Sequence, residues 1–435
     1  MQYHLRSIFA YLALLAAVLS LVPGMALAGA VAVSLAVLLG WRDMRRVPRA
    51  VFAVAVLMLV FALGHDPALV MTGAENMTRL AGLVLAVMLL SNVLGRTRDL
   101  QRISASLFGG RPLTRYLSLA YGTSLVSVPL NFGSVAVVGS LVAERLRRNG
   151  DAPATRNATR AVLRGFGVAP IFSPLSISVV LTLTLLPGLG IVTLLSLAIP
   201  FSFLLVLAGL RWREPEPPQE LPAAEQRAGV ASWLRFTGMI LLVCVGVFWL
   251  SDRYQLSYAH AVALSCLGAV LVYRLTGLLR GERHPVSSMA HVSNELAIVG
   301  GSAFIGAVIS GLVLGQMNGD PELPVWLWAL LAACVPWLFF VAGLGGMNPI
   351  VVGTLVGGIL GSVWPGGAEI GLGIAMVTGW GIAAFGTPFA ANALIMERLT
   401  GYRARDASFR WSLPLSLCGL GTASLLGFSL TFWLA

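Results

Sequence analysis

Long apolar runs recur along the whole chain, and few of them contain a charged residue. A helix of about 20 apolar residues, rising about 1.5 Å per residue, crosses the roughly 30 Å hydrocarbon layer of a bilayer. Only 11% of the 435 residues are charged, whereas about a quarter is usual in a soluble domain. The sequence therefore predicts an all-α polytopic membrane protein. The runs lie at about 8–22, 24–41, 49–64, 78–95, 115–146, 158–187, 190–211, 234–251, 257–276, 289–316, 325–362, 370–398 and 411–432.

The positive charge is concentrated in short loops between these runs. All 29 basic residues are arginine, and the formal net charge is +11. Cytoplasmic loops of membrane proteins retain such residues, so the charge indicates orientation and contact with lipid, with no nucleic-acid partner. All arginines except Arg79 and Arg253 then face the cytoplasm. This predicts a multi-pass protein of a bacterial inner membrane, with a cytoplasmic N-terminus and a periplasmic C-terminus.

The run 115–146 does not fit a single crossing. Residues 116–143 carry no charge and would form a helix about 42 Å long. Arginines flank both of its ends, Arg115 before it and Arg147 after it, so one crossing would place an arginine cluster outside. We predict a re-entrant hairpin that enters from the cytoplasm and turns at Pro129–Ser134. The alternative is one long tilted helix.

The run 325–362 is the mirror case, because acidic residues flank it. Asp320 and Glu322 precede the run and Glu369 follows it. We predict a second re-entrant hairpin, entering from the outside, with its tip at Gly343–Pro349. The prediction is thus about eleven transmembrane helices plus two hairpins, with a long tilted helix again the alternative.

The two halves of the chain align without a gap when one is shifted by 214 residues. Each half then has five spans and a hairpin, and because five is odd the second half is inverted relative to the first. The predicted divisions are an N-terminal transmembrane helix at 1–23, a first repeat at 24–211, a cytoplasmic linker at 212–233 and a second repeat at 234–435. The matched segments are Val137–Val142 with Val351–Val356, Gly165–Ala169 with Gly379–Ala383, and Ser173-Pro174 with Thr387-Pro388.

Prolines predict that two spans are interrupted inside the membrane, at Ala169–Pro174 and Ala384–Pro388. Helix N-termini at such breaks suit an anion, and freed carbonyls suit a sodium ion. The alternative is that the polar side chains there only cap broken helices or join spans. The predicted substrate-binding residues are Asn131, Gly133, Ser134, Ser173, Pro174, Asn348, Thr387, Pro388 and Asn392. The predicted ion-binding residues are Asn131, Ser134, Gly346, Asn348, Ala169 and Ala384.

No Asp, Glu, Arg or His lies at the predicted breaks and tips. A cation–proton antiporter needs a titratable carboxylate there, so the pattern favours an anionic or neutral substrate and sodium over proton coupling. Glu295 is the nearest acid, and we interpret it as a helix-end residue, with a gating or proton role as the alternative. No enzyme motif is present, and no cofactor or metal is expected beyond a sodium ion.

This layout resembles the ion transporter superfamily, and within it the divalent anion/sodium symporter (dicarboxylate) branch. The loops Ser173-Pro174 and Thr387-Pro388 match the broken-span loops of that branch. Its hairpin tips carry Ser-Asn-Thr, whereas here the tips read Asn131–Ser134 and Gly346–Pro349. The resemblance implies a homodimer in which a transport domain moves against a scaffold by an elevator-type mechanism.

The predicted function is secondary active transport of a small organic anion, with a carboxylate and sodium coupling favoured. One alternative keeps the fold and makes the protein a proton-coupled or uncoupled exporter of a neutral or toxic compound. A second alternative is a non-transporting integral-membrane enzyme or assembly partner.

Overall fold

The computed structural model describes residues 2–95, 97–217, 229–279, 281, 287–316 and 323–435, and all regular elements among them are helices. The helices are α1 Gln2–Val18, α2 Met25–Gly40, α3 Arg46–His65, α4 Pro67–Leu94, α5 Arg98–Ser106, α6 Pro112–Leu130, α7 Phe132–Asn149, α8 Pro153–Phe172, α9 Ile177–Leu185, α10 Ile191–Ala208, α11 Val230–Tyr254, α12 Tyr258–Leu279, α13 Ser293–Gln316, α14 Val325–Leu344, α15 Pro349–Leu360, α16 Glu369–Gly386, α17 Ala391–Thr400 and α18 Leu413–Leu434. Short helical turns at Trp41–Asp43, Gly209–Trp212, Ala404–Asp406 and Ala407–Ser412 extend α2 and α10 and lead into α18.

Eleven helical stretches in the described part of the chain are long and apolar enough to cross a membrane. The chain is a multi-pass integral membrane protein, as the apolar runs predict. These eleven stretches match the eleven predicted spans except that one predicted span is replaced by another helix. The 17-residue α1 falls short of the length needed, whereas the 20-residue α14, predicted as a hairpin arm, reaches it.

Both runs predicted as hairpins are split into two helices, so one long tilted helix is wrong for each. In the first, α6 ends at Leu130, α7 begins at Phe132, and the two helices pack against each other. In the second, α14 ends at Leu344 and α15 begins at Pro349. The side of the membrane from which each enters stays a prediction.

Several predicted features fall outside the described residues. They are most of the linker, at 218–228, and the loop residues Arg96, Arg280, Arg283, Asp320 and Glu322.

Two further elements differ from the sequence prediction. The helix expected from 78 begins at Pro67, because Asp66 Oδ1 accepts the Ala68 N–H at 2.9 Å and proline is favourable in a first helical turn. The arginine-rich segment after α4 was expected to be a loop. It forms the helix α5, whose Leu100 and Ile103 are fully buried.

The chain forms two compact units, and each contains segments of both predicted repeats. Unit 1 comprises Met1–Asn92, Leu242–Pro321 and Ile350–Val363, and unit 2 comprises Val93–Leu241, Glu322–Pro349 and Trp364–Ala435. In unit 1, α13 packs on α2 and α3. Unit 2 contains α6 to α10, α14, and α16 to α18, and therefore holds the first hairpin and both interrupted spans.

Helix packing in unit 2 repeats at equivalent positions of the two halves. A Cβ on Gly165 would lie 2.2 Å from the Ala120 carbonyl oxygen, so α6 and α8 touch there through backbone. At the equivalent Gly379, a Cβ would lie 2.7 Å from Pro336 Cα, so α14 and α16 also touch through backbone. Glycine permits such close helix approaches in membranes, and these two glycines are residues that the predicted 214-residue repeat aligns.

Candidate functional site

The first interrupted span breaks after Phe172 because Pro174 has no N–H to donate to the Pro170 carbonyl. The carbonyl of Pro170 is instead bonded by the hydroxyl of Ser176, at 3.1 Å, and by that of Ser178. Ser176 also caps α9 by accepting the Val179 N–H. The carbonyl of Ala169, a predicted ion-binding residue, accepts the Ser173 N–H at 2.9 Å. The carbonyl that loses its helical N–H donor at this break is therefore that of Pro170.

The second interrupted span breaks in the same way. Pro388 cannot donate to the carbonyl of Ala384, which is the repeat equivalent of Pro170. Thr387 Oγ1 donates back to the Ala383 carbonyl at 2.8 Å, so this hydroxyl is engaged at the helix end. Equivalent prolines therefore remove the helical donor of equivalent carbonyls in both halves, and in the first half the hydroxyls of Ser176 and Ser178 replace that donor.

Asn392 lies in the first turn of α17, just beyond the second break. Its side chain is 1% exposed, and its Nδ2 has no hydrogen-bond acceptor among the described residues. An unsatisfied buried amide costs about 1–3 kcal/mol. Of the predicted site residues, Asn392 is therefore the one whose buried donor most needs an additional acceptor.

The turn of the first hairpin is a single residue, Asn131, with φ of 48° and ψ of −127°. This region favours glycine, and an asparagine there carries backbone strain of order 1–3 kcal/mol. Ser134 is fully buried and donates to the Asn131 carbonyl at 2.7 Å, and its oxygen lies 2.6 Å from that of Ser127. The Ser134 hydroxyl thus closes the turn, as the capping alternative expects.

The loop after α14 is a glycine-dependent helix end. Gly346 has φ of +78°, and the Met347 N–H bonds the Ala342 carbonyl at 2.9 Å. This is the pattern of a Schellman-type C-terminus, which favours glycine at the left-handed position. Gly346 therefore has a local structural role. Asn348 follows and is half-buried, as are Gly133, Pro174 and Pro388 elsewhere in unit 2.

Direct contacts bring the breaks and the hairpin turn together. Phe132 stacks on Phe166 at 5.2 Å between ring centroids, which holds the first hairpin on α8. One residue further along α8, a Cβ on Gly167 would lie 2.5 Å from Phe385 of α16. Gly343 approaches the second break, since its Cβ would lie 3.0 Å from Thr387 Cγ2. We use the name break cluster for four features: the breaks at Ala169–Pro174 and Ala384–Pro388, the hairpin turn at Asn131, and the end of α14 at Gly343–Gly346.

A charged cluster near the start of α8 was not anticipated from the sequence. Glu214 accepts hydrogen bonds from Arg156 at 2.7 Å and from Arg160 at 2.6 Å. Glu216, whose side chain is 3% exposed, pairs with Arg115 and accepts from Asn157 Nδ2 at 2.6 Å. We call these side chains the arginine–glutamate cluster. It ties the segment after α10 to α6 and α8.

Asn157 and Arg164 complete the connections around α8. The Asn157 side chain bonds both the N–H and the carbonyl of Glu214, at 2.9 and 2.8 Å. Arg164 is 1% exposed and donates to the Tyr116 hydroxyl and to the carbonyls of Gly209 and Trp411. The spacing of Arg160 and Arg164 on one helix face was the available signal. Apart from Asn157, which accepts from Arg160, their partners lie 45 or more residues away.

Glu295 lies in unit 1, in the first turn of α13, as predicted for a helix-end residue. Its side chain is exposed, and it forms no ion pair among the described residues. Its neighbour Asn294 accepts the Arg45 N–H at 3.1 Å.

These features define a class: a multi-pass helical membrane protein with two membrane helices broken at repeat-related prolines. The fold is similar to that of a solved structure, the Alcanivorax borkumensis YdaH transporter, described as having an unusual topology. The two chains are 16% identical, with a TM-score of 0.50, and the match covers 82% of this chain and 86% of that one. No family model matches the sequence, and no curated protein matches it.

Proposed function

We propose that this protein is a secondary active transporter of a small organic anion, with a carboxylate as the favoured group and sodium as the coupling ion. The break cluster would bind both, and the movement would be of the elevator type. The observation that carries the proposal is the pair of proline breaks at equivalent positions, packed against each other through Gly167 and Phe385. Broken helices at a repeat interface are typical of substrate sites in such carriers.

The chemistry of the break cluster supports an anion. Its side chains are neutral, since no Asp, Glu, Arg or His occurs in 116–143, 165–210 or 370–396. The buried Asn392 amide offers unshared donors, and the first turn of α17 beside it adds the partial positive charge of a helix N-terminus. A carboxylate oxygen would supply the acceptor that Asn392 lacks.

Sodium coupling rests on the freed carbonyls. The Ala384 carbonyl has no helical N–H donor, because the residue four positions further on is Pro388. A carbonyl at a helix break is a good ligand for a hard cation. No titratable carboxylate is available in the cluster to exchange a proton. The resemblance to sodium symporters points the same way.

The test begins with thermal-shift screening of the purified protein against organic acids, with sodium or with potassium. A compound that stabilises only with sodium is then tested for uptake into proteoliposomes under a sodium gradient. Asn392→Ala should abolish uptake, while Ser196→Ala, an exposed hydroxyl on α10 bonded only to its own helix, should transport normally. Stabilisation and uptake that ignore sodium would contradict the coupling, and full uptake by Asn392→Ala would contradict the site.

Growth of a strain with the gene deleted separates import from export. An importer mutant should fail to grow on the substrate, whereas an exporter mutant should be poisoned by it. Liposomes that move no solute at all would favour the enzyme or assembly-partner alternative.

A further inference from the structure

A small cavity of about 20 Å³ lies in unit 2 where α6, α7 and the start of α8 meet. This volume is close to that of one water-sized particle. Its walls combine apolar groups with two arginines and the first turn of α8. The lining residues that matter here are Phe108, Arg115, Arg145, Ala154 and Ala158.

The two arginines of this cavity differ in their partners. Arg115 is paired with Glu216 and also donates to the Gly110 carbonyl at 3.1 Å. Arg145 lies over the Phe108 ring, 4.5 Å from its centroid, and makes no hydrogen bond or ion pair to any described residue. Its charge is thus half-buried without a negative partner.

The carboxylates near the cavity are already engaged. Glu144 pairs with Arg148, Asp151 with Arg156, Glu214 with Arg156 and Arg160, and Glu216 with Arg115. The helix N-terminus of α8 at Ala154 adds further positive potential. A buried or half-buried charge is stabilised by an opposite charge brought close to it, and each of these four carboxylates is already paired with an arginine other than Arg145.

We propose that this cavity binds a monatomic anion of the size of chloride, held by Arg145 beside the Ala154 N–H at the start of α8. The accessible volume of about 20 Å³ has room for one small particle, and a halide is closer to that size than a carboxylate or a phosphate is. The bound anion would neutralise Arg145 beside Arg115 and so stabilise the base of the first hairpin. This site is separate from the break cluster and does not depend on the proposed transport.

The test compares thermal unfolding of the full-length protein in sodium chloride and in sodium gluconate. The sodium concentration is kept equal, so any effect of sodium cancels. Wild type should melt about 2 °C higher in chloride, by ligand stabilisation of the folded state. Arg145→Gln should lose this difference. Arg147→Gln is the matched control, because it removes the same charge from the exposed face of α7 and should keep the difference.

A second variant guards against misfolding of Arg145→Gln. Ala158→Met fills the cavity while Arg145 stays, and it should also lose the chloride effect. Crystals grown in bromide should give an anomalous peak beside Arg145. The proposal is overturned if wild type melts identically in both salts, if Arg147→Gln loses the effect as Arg145→Gln does, or if Ala158→Met retains it.

Discussion

The buried ion pair between Arg115 and Glu216 gives the sharpest prediction on stability. The two side chains are 5% and 3% exposed, so removing one partner leaves a desolvated charge. Such a loss costs about 3–5 kcal/mol. Glu216→Gln is the chosen change, because its amide oxygen can still accept the Asn157 bond now measured at 2.6 Å. We expect the free energy of unfolding to fall by about 3 kcal/mol.

The matched control is Glu144→Gln, which breaks the ion pair with Arg148. Those side chains are 43% and 74% exposed, and exposed pairs contribute at most about 1 kcal/mol. A double variant, Arg115→Met with Glu216→Gln, removes both charges together. It should recover much of the loss, because replacing a buried pair by neutral groups is often nearly neutral.

The assay is reversible unfolding in mixed micelles, followed by tryptophan fluorescence, for the four variants of the cycle and the control. The coupling between positions 115 and 216 should exceed about 1 kcal/mol. The reasoning is refuted if Glu216→Gln costs no more than Glu144→Gln, or if the two single losses simply add in the double variant.

Three further predictions concern single positions. Gly381→Ala places a Cβ 2.7 Å from the Gly167 carbonyl oxygen, and in the same unfolding assay it should destabilise the protein by about 1–3 kcal/mol. The control Gly421→Ala, whose Cβ meets nothing within 4 Å, should leave the stability unchanged. Asn131→Gly should be at least as stable as wild type, because glycine relieves the strain of the positive φ, whereas Asn131→Ala should be less stable. Loss of uptake in the stable Asn131→Gly variant would show that the Asn131 side chain is needed for transport. Normal uptake would remove Asn131 from the site. Hydrogen bonds from Arg235 lower the pKa of Asp99 to about 2, so the stability from this pair is present above the ordinary value near pH 3.8 and is lost as the pH falls through 2. Asp99→Asn should abolish that part of the acid melting profile, and an unchanged profile would contradict the pairing.

The positions of the breaks could be predicted because proline acts locally. Pro174 and Pro388 each remove one donor, and the carbonyl four residues earlier is freed whatever surrounds it. The sequence prediction placed both interruptions within a few residues. It listed Ala169 as an ion ligand, but the Ala169 carbonyl accepts the Ser173 N–H, and the carbonyl that loses its helical donor is that of Pro170.

The arginine–glutamate cluster could not be predicted from local pattern. Arg115 and Glu216 lie 101 residues apart, and Glu216 lies in a proline-rich segment that is typical of a solvated linker. Arginines at span ends are normally explained by orientation alone. The folded chain uses some of them as buried partners, which only the tertiary contacts reveal.

The helix α5 shows a different limit. Its segment is rich in arginine, so the charge pattern indicated a loop, yet Leu100 and Ile103 recur at helical spacing and both are fully buried. A periodicity test of this short segment could have found the helix. The prediction of a loop rested on the charge pattern alone and did not use this periodicity.

The central claim is that the chain at 115–146 dips into the membrane and returns to the side it came from. Single cysteines are introduced in a cysteine-free background at Leu113 and Arg147, on the exposed faces of α6 and α7, and at Asp252 as the predicted outside control. A membrane-impermeant thiol reagent is added to intact cells and to inside-out vesicles. We expect Leu113→Cys and Arg147→Cys to react only in the vesicles, and Asp252→Cys only in the cells. Reaction of Leu113→Cys and Arg147→Cys from opposite sides would mean that the segment crosses the bilayer, and the account of the fold as an inverted repeat would be wrong.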